Sequence, residues 1–221
     1  RSALWIFVFG GGLGAAATIT GAQVNYQLYL IPGIVLMSVL FTTMFSGFSV
    51  IWDRNFGFLK EILVSPVPRH AVLLGKALGI TTLALVEALF ILLLGLFIGM
   101  PFLPANFLLA FIALFLTSMA TVGIGLYITS KIDSFEAFGA VVNLIILPLF
   151  FSSGALFPLS SAPDWLKLAA SLNPYTYAVD VVRSLLLNTP THYPLLLDYS
   201  VLMVFSIVAL WMGREAFETK G

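Results

Sequence analysis

The sequence predicts an all-α polytopic membrane protein with six transmembrane helices, and three observations carry that prediction. First, of 221 residues 60% are hydrophobic and 9% charged, with a mean hydropathy of +1.07. A soluble chain of this length carries about 25% charged residues, roughly fifty-five. The twenty present here are too few to cover a water-facing globule. Second, six segments each supply the roughly 20 apolar residues that cross a hydrocarbon core of about 30 Å. Third, the Lys and Arg residues are unevenly shared among the connectors. A net charge of zero gives no basic field for nucleic acid. The absence of Cys excludes a disulfide framework or a thiolate metal site.

The six segments are 3–20, 28–52, 77–100, 106–130, 137–157 and 194–213. The connectors leave no room for a soluble catalytic domain, so 1–221 reads as a single transmembrane domain. Arg1, an apolar run and then Ala15, Ala16 and Ala17 also fit a secretory signal peptide with a small-residue cleavage site. We read 3–20 as a span. With both termini cytoplasmic, that side holds Arg1, Arg54, Lys60, Arg69, Lys76, Lys131, Arg214 and Lys220, eight of the ten basic residues. Only Lys167 and Arg183 fall outside. Tyr26, Tyr29 and Trp165 then sit at an outer aromatic belt and Trp52 at an inner one. The expectation is a multi-pass protein, N-in and C-in.

The connector 53–70 is too polar for lipid and too apolar for a solvated linker. Phe56, Leu59, Ile62 and Leu63 recur at helical spacing and turn Lys60 and Glu61 toward water. Pro66 and Pro68 stop the helix, since neither can donate its backbone bond. The result is a short, stiff knob at the cytoplasmic surface. Residues 69–100 contain no Pro and exceed one span, so the first two turns are expected to run along or beneath the interface. Two readings of the knob are open: an amphipathic anchor and a surface for a docking partner.

Glu87 is the one formally ionisable residue well inside a predicted span, where a charge costs about 2.5–3.5 kcal/mol on insertion scales. It is either a proton or substrate contact or a partner for an interhelical hydrogen bond from Thr, Ser or Asn. Asn143 is a second intramembrane polar side chain. Gly10 with Gly14, Gly75 with Gly79, and Gly95 with Gly99 have the GxxxG spacing that permits close helix approach. Pro148 should kink the fifth span, followed by Phe150, Phe151, Ser152 and Ser153 near its outer end; Pro32 should do the same early in the second.

The outer connector 158–193 holds two runs too short to span. Ser160 and Ser161 precede Pro163 and Asp164, a helix start, and Trp165, Leu166, Ala169 and Leu172 form one apolar face. Asn173 and Pro174 break the helix. In the second run Tyr177, Val181 and Leu185, flanked by Val182 and Leu186, form another face, and Asp180 and Arg183 are spaced to pair. A helix, a Pro break and a helix read as a re-entrant hairpin packed on the bundle, or as two helices lying flat on the outer leaflet.

Catalytic patterns are missing. Gly75 and Lys76 are followed by Ala77 rather than the Ser or Thr of a phosphate loop, and there is neither HExxH nor GxSxG. His70 and His192 fall on opposite sides of the membrane. No catalytic or metal-binding residue is assigned, and the chain does not read as an enzyme. A proton-coupled carrier or channel using Glu87 and a non-transporting scaffold stay as alternatives.

The stretch WDRNFGFLKEILVSPVPRHAVLLGK from Trp52 to Lys76, together with PLFFSSGALFPLSSAPDWLKLAASLNPYTYAVDVVR from Pro148 to Arg183, resembles the membrane subunits of type-2 ATP-binding-cassette exporters. It is most similar to the small permeases of drug, antibiotic and lipo-oligosaccharide efflux systems. The resemblance covers nearly the whole chain in span order. It implies a permease that pairs with a second copy, as homodimer or heterodimer, and with two separate ATPase subunits. ATP and Mg would be held by those partners and no cofactor by this chain. The segment Phe56 to Arg69 would be a coupling helix, with Gly57, Glu61 and Pro66 at the motif positions. The hairpin would stand above the exit path of an amphiphilic or hydrophobic substrate moved by alternating access. The implied location is the plasma membrane, specifically a prokaryotic inner membrane. In one departure, the family's amphipathic helix before span one has no counterpart ahead of Arg1 in this sequence.

Overall fold

The computed structural model describes residues 26–56, 68–159 and 162–214, and no strand occurs among them. The helices are α1 Tyr26–Met44, α2 Gly47–Asn55, α3 Arg69–Phe97, α4 Pro104–Lys131, α5 Phe135–Ser152, α6 Asp164–Leu172, α7 Pro174–Leu187 and α8 Leu195–Gly213. Five stretches among the described residues are long and apolar enough to cross a membrane: Leu28–Asp53, Ala71–Phe97, Pro104–Lys131, Phe135–Ser152 and Leu195–Gly213. The expected span 3–20 and most of the 53–70 connector lie outside the described residues.

Contacts at the two ends of α5 define two ends of the bundle. Trp52 and Phe56 meet Phe135 at one; Asn173, between α6 and α7, meets Leu149 at the other. Leu28–Asp53 and Pro104–Lys131 are the most buried of the five span-length stretches, and large side chains of α1 and α4, such as Leu30, Leu36, Leu40 and Leu114, form the main core with α5 and α7. On the perimeter, Leu83, Phe90, Leu144 and Ile207 are between 62% and 73% exposed. Apolar rows of that kind are solvated by lipid, not water.

Without a hydrophobic drive between helices in lipid, association rests on close backbone approach and polar contacts. α4 and α8 show the first. A Cβ at Gly123 would lie 2.5 Å from the Ala209 backbone, and one at Gly213 2.8 Å from the Gly123 carbonyl oxygen. Of the GxxxG pairs expected from spacing, Gly10 and Gly14 lie outside the described residues, Gly75 and Gly79 have no neighbour within 4 Å of an added Cβ, and one at Gly95 would meet Ile31 of α1 at 3.2 Å, while Gly99 is a turn residue at φ +99°. The second kind of contact joins α1 to α4, where the Thr43 and Thr121 hydroxyls meet at 2.6 Å.

The second span and α5 differ from expectation. α3 is one continuous helix from Arg69, about 43 Å at 1.5 Å per residue. It stops at Phe97 because Gly99 takes the left-handed conformation and the Met100 amide bonds back to the Gly95 carbonyl. The second span is split at Phe45 and Ser46, where α2 starts with Gly47 pressed against Phe138 and Thr129. α5 ends at Ser152 and not near residue 157, because Gly154 has φ +73° and turns the chain back. α6 and α7 divide at Asn173 and Pro174 as expected.

Candidate functional site

The residues singled out at 148–153 and 173–183 come together where α5 ends and α7 begins. Pro174 occupies the first turn of α7, where a missing N–H costs nothing. Asn173, 5% exposed, joins the two helices. Its Oδ1 accepts the Tyr175 amide at 2.9 Å, capping α7, while its Nδ2 donates to the Leu149 carbonyl at 2.7 Å and to Ser152 Oγ at 3.0 Å. Leu149 is one of the carbonyls that the end of α5 leaves without a helical donor. Ser152 in turn donates to the Pro148 carbonyl and Ser153 to that of Phe150, each at 2.7 Å. Phe150 is buried and Phe151 half exposed to the outside.

Arg183, on α7, clamps the turn that follows. Its two terminal nitrogens donate to the Gly154 and Ala155 carbonyls at 3.0 and 2.8 Å, and its guanidinium lies 3.9 Å over the Tyr29 ring of α1. The same Ala155 oxygen sits 2.6 Å from where a Cβ on Gly33 would be, so only Gly lets α1 approach the turn. The Asp180 carboxylate accepts the amides of His192 at 2.8 Å and Tyr193 at 2.9 Å, ordering the loop that enters α8. Around these residues lies a cavity of about 550 Å3, bordered by Tyr29, Ser153, Thr176, Asp180, Arg183 and His192 among others. Its lining mixes apolar and hydrogen-bonding groups.

α7 is driven deep into the bundle. Tyr175 is 1% exposed and its hydroxyl donates to the Leu36 carbonyl, midway along α1. Of the apolar face expected from Tyr177, Val181, Val182, Leu185 and Leu186, the four aliphatic residues are buried, while Tyr177 is half-buried and its hydroxyl donates to the Ser171 carbonyl at 2.7 Å. The expected α6 face is divided: Leu166 and Ala169 are half-buried beside the buried Ala170, and Trp165 and Leu172 are 70% and 78% exposed.

At the opposite end, Phe56 is exposed and stacks on Trp52 with ring centroids 4.6 Å apart, and Trp52 meets Phe135 of α5 at 6.1 Å. Pro68 precedes α3, which Arg69 opens. Gly57, Leu59, Lys60, Glu61, Leu63 and Pro66 lie outside the described residues.

Within the spans, Glu87 accepts the Thr42 hydroxyl at 2.6 Å, the interhelical bond that was one of its two readings. Asn143 donates to the Gly139 carbonyl of its own helix and faces away from the bundle. Asp198 was missed. It is fully buried in the first turn of α8, and neither carboxylate oxygen has a hydrogen-bond partner among the described residues. The signal was available, since the predicted span 194–213 already contained it.

This arrangement defines a multi-pass, all-helical membrane protein with two short helices packed at one end of the bundle. Residues 1–187 match the family described as ABC-2 type transporter, and the chain belongs to that family. It is 32% identical over 185 residues to a Cyanophora paradoxa protein named as a transport permease, ycf38, covering 82% of this chain and 64% of that protein. It is 26% identical over 193 residues to the inner membrane transport permease YadH of Escherichia coli K12, covering 85% and 73%. A 24% identity over 168 residues relates it to YbhR of the same strain, named as a multidrug ABC transporter permease, covering 75% and 45%. The chain thus spans just under two thirds of the length of the ycf38 proteins, 64% in Cyanophora paradoxa and 66% in Porphyra purpurea.

Proposed function

We propose that this chain is the membrane-spanning permease of an ATP-driven exporter that moves an amphiphilic or hydrophobic substrate out of the cytoplasm or the inner leaflet. The observation that carries the reading is α5. Its outward face presents Asn143 beside Leu144, Leu147 and Phe151, a polar group set in an apolar row that no other described helix covers. That surface suits a second copy and the amphiphile passing between the two. The names of YadH and YbhR agree with a transport role.

In this reading six spans run N-in and C-in through a prokaryotic inner membrane, with 3–20 as the first. The 53–70 segment docks on a separate ATPase subunit, which holds ATP and Mg2+ and supplies the hydrolysis. Movement of the docked segment is passed through Phe56 and Trp52 to Phe135 at the foot of α5. At the far end α6 and α7 form a re-entrant hairpin, and Asn173 and Arg183 hold the turn after α5 against it. Rearrangement of α5 there opens the exit.

The test is reconstitution with the ATPase subunit. Glu61→Arg, or deletion of 57–66, abolishes substrate-stimulated ATP hydrolysis while membrane insertion persists. Normal coupling in both variants refutes the docking assignment.

A further inference from the structure

The connector that would receive the ATPase is flanked by α2, which ends at Asn55, and α3, which begins at Arg69. Across its base Lys76, two turns into α3, forms an ion pair with Asp53 of α2 and donates to Ser49 Oγ at 3.1 Å. Ser49 Oγ itself donates to the Ser46 carbonyl in the turn that separates α2 from α1. The two charged side chains are 21% and 23% exposed, so they are not a freely solvated pair. A second observation is independent of the charges. Beneath the pair, Val50, Leu73, Ala77, Met119, Val122 and Leu126 make an apolar cluster of their own, separate from the main core, that packs α2, α3 and α4 together.

We propose that Asp53 and Lys76 are positioning residues for energy coupling: they brace α2 against α3, so that displacement of the connector moves both helices as one body. The break at Phe45 and Ser46 makes α2 a lever distinct from α1, and a lever transmits a push only if its end is fixed. The small core under the pair supplies the fulcrum, and the Trp52 contact to Phe135 carries the motion to α5. The inference rests on the permease reading above.

The experiment uses the full chain assembled with its ATPase subunit in proteoliposomes, comparing basal with substrate-stimulated hydrolysis. Asp53→Asn and Lys76→Met each lower the stimulated-to-basal ratio about 2- to 30-fold, the range found for substitutions along coupling elements, with basal rate and assembly retained. The exchanged pair Asp53→Lys with Lys76→Asp restores the ratio. Lys167→Met, which removes an exposed partner of Asp164 within one helix, leaves it unchanged. Wild-type ratios in both single variants overturn the brace, as does an exchanged pair no better than the singles, which would assign the charges another task. If the wild-type complex shows no stimulation or no assembly, the permease reading fails first and the brace falls with it.

Discussion

Replacing Asn173 by Ala removes three hydrogen bonds at a site 5% exposed. Loss of a helix N-cap costs about 1 kcal/mol. The half-buried Leu149 carbonyl, left without its donor, adds about 1–3 kcal/mol. The two together predict a loss of about 2–4 kcal/mol, which by the slope for chains of 150–250 residues lowers Tm by roughly 4–16 °C. Asn173→Ser keeps the acceptor for the Tyr175 amide but cannot reach Leu149, so it should recover about 1 kcal/mol of that loss. The assay is thermal unfolding of the purified protein in detergent followed by circular dichroism. An Ala variant within about 0.5 kcal/mol of wild type, the range of ordinary surface substitutions, would refute the argument that Asn173 ties α5 to α7. So would a Ser variant no better than Ala.

Arg183→Lys should destabilise nearly as much as Arg183→Gln in the same assay, because an ammonium cannot fork onto the Gly154 and Ala155 carbonyls while stacked on Tyr29. Near-wild-type Tm for the Lys variant would show that charge alone suffices. Gly123→Val should prevent α8 from seating on α4, since even the first added carbon meets the Ala209 backbone at 2.5 Å, and folded protein recovered from membranes should fall sharply. Glu87→Gln keeps an acceptor for Thr42 and should leave ATP-driven transport intact. Loss of transport with retained assembly would instead favour a proton-coupled carrier.

Elements with a local cause were legible in the sequence. The division between α6 and α7 follows from Pro174, which cannot donate, and from Asn173, whose side chain caps. Glu87 had to find a partner because charge at that depth is costly, and Thr42 is that partner. Features decided by distant residues were not legible. Hydropathy continues through Ala155, Leu156 and Phe157, yet α5 ends at Ser152 because Gly154 reverses the chain and Arg183, some thirty positions on, binds the turn. GxxxG spacing marks glycines that can admit a neighbour; among the described ones Gly95 has one, Ile31, and Gly75 and Gly79 have none. Gly123 and Gly213, which lack that spacing to each other in sequence, make the close contact. The apolar face of α6 was misread in part for a related reason: in lipid an exposed Trp165 or Leu172 is well solvated, so apolarity no longer indicates the packed side.

The central claim is that energy for transport comes from a partner ATPase through this chain's connector. It is tested most directly by placing the purified chain in proteoliposomes with its ATPase subunit and measuring uptake of a labelled amphiphile into inverted vesicles. The account predicts uptake that requires ATP and the ATPase, and that is lost on deletion of 57–66 while both subunits stay in the membrane. Uptake by the chain alone, driven by a proton gradient without ATP, would contradict it.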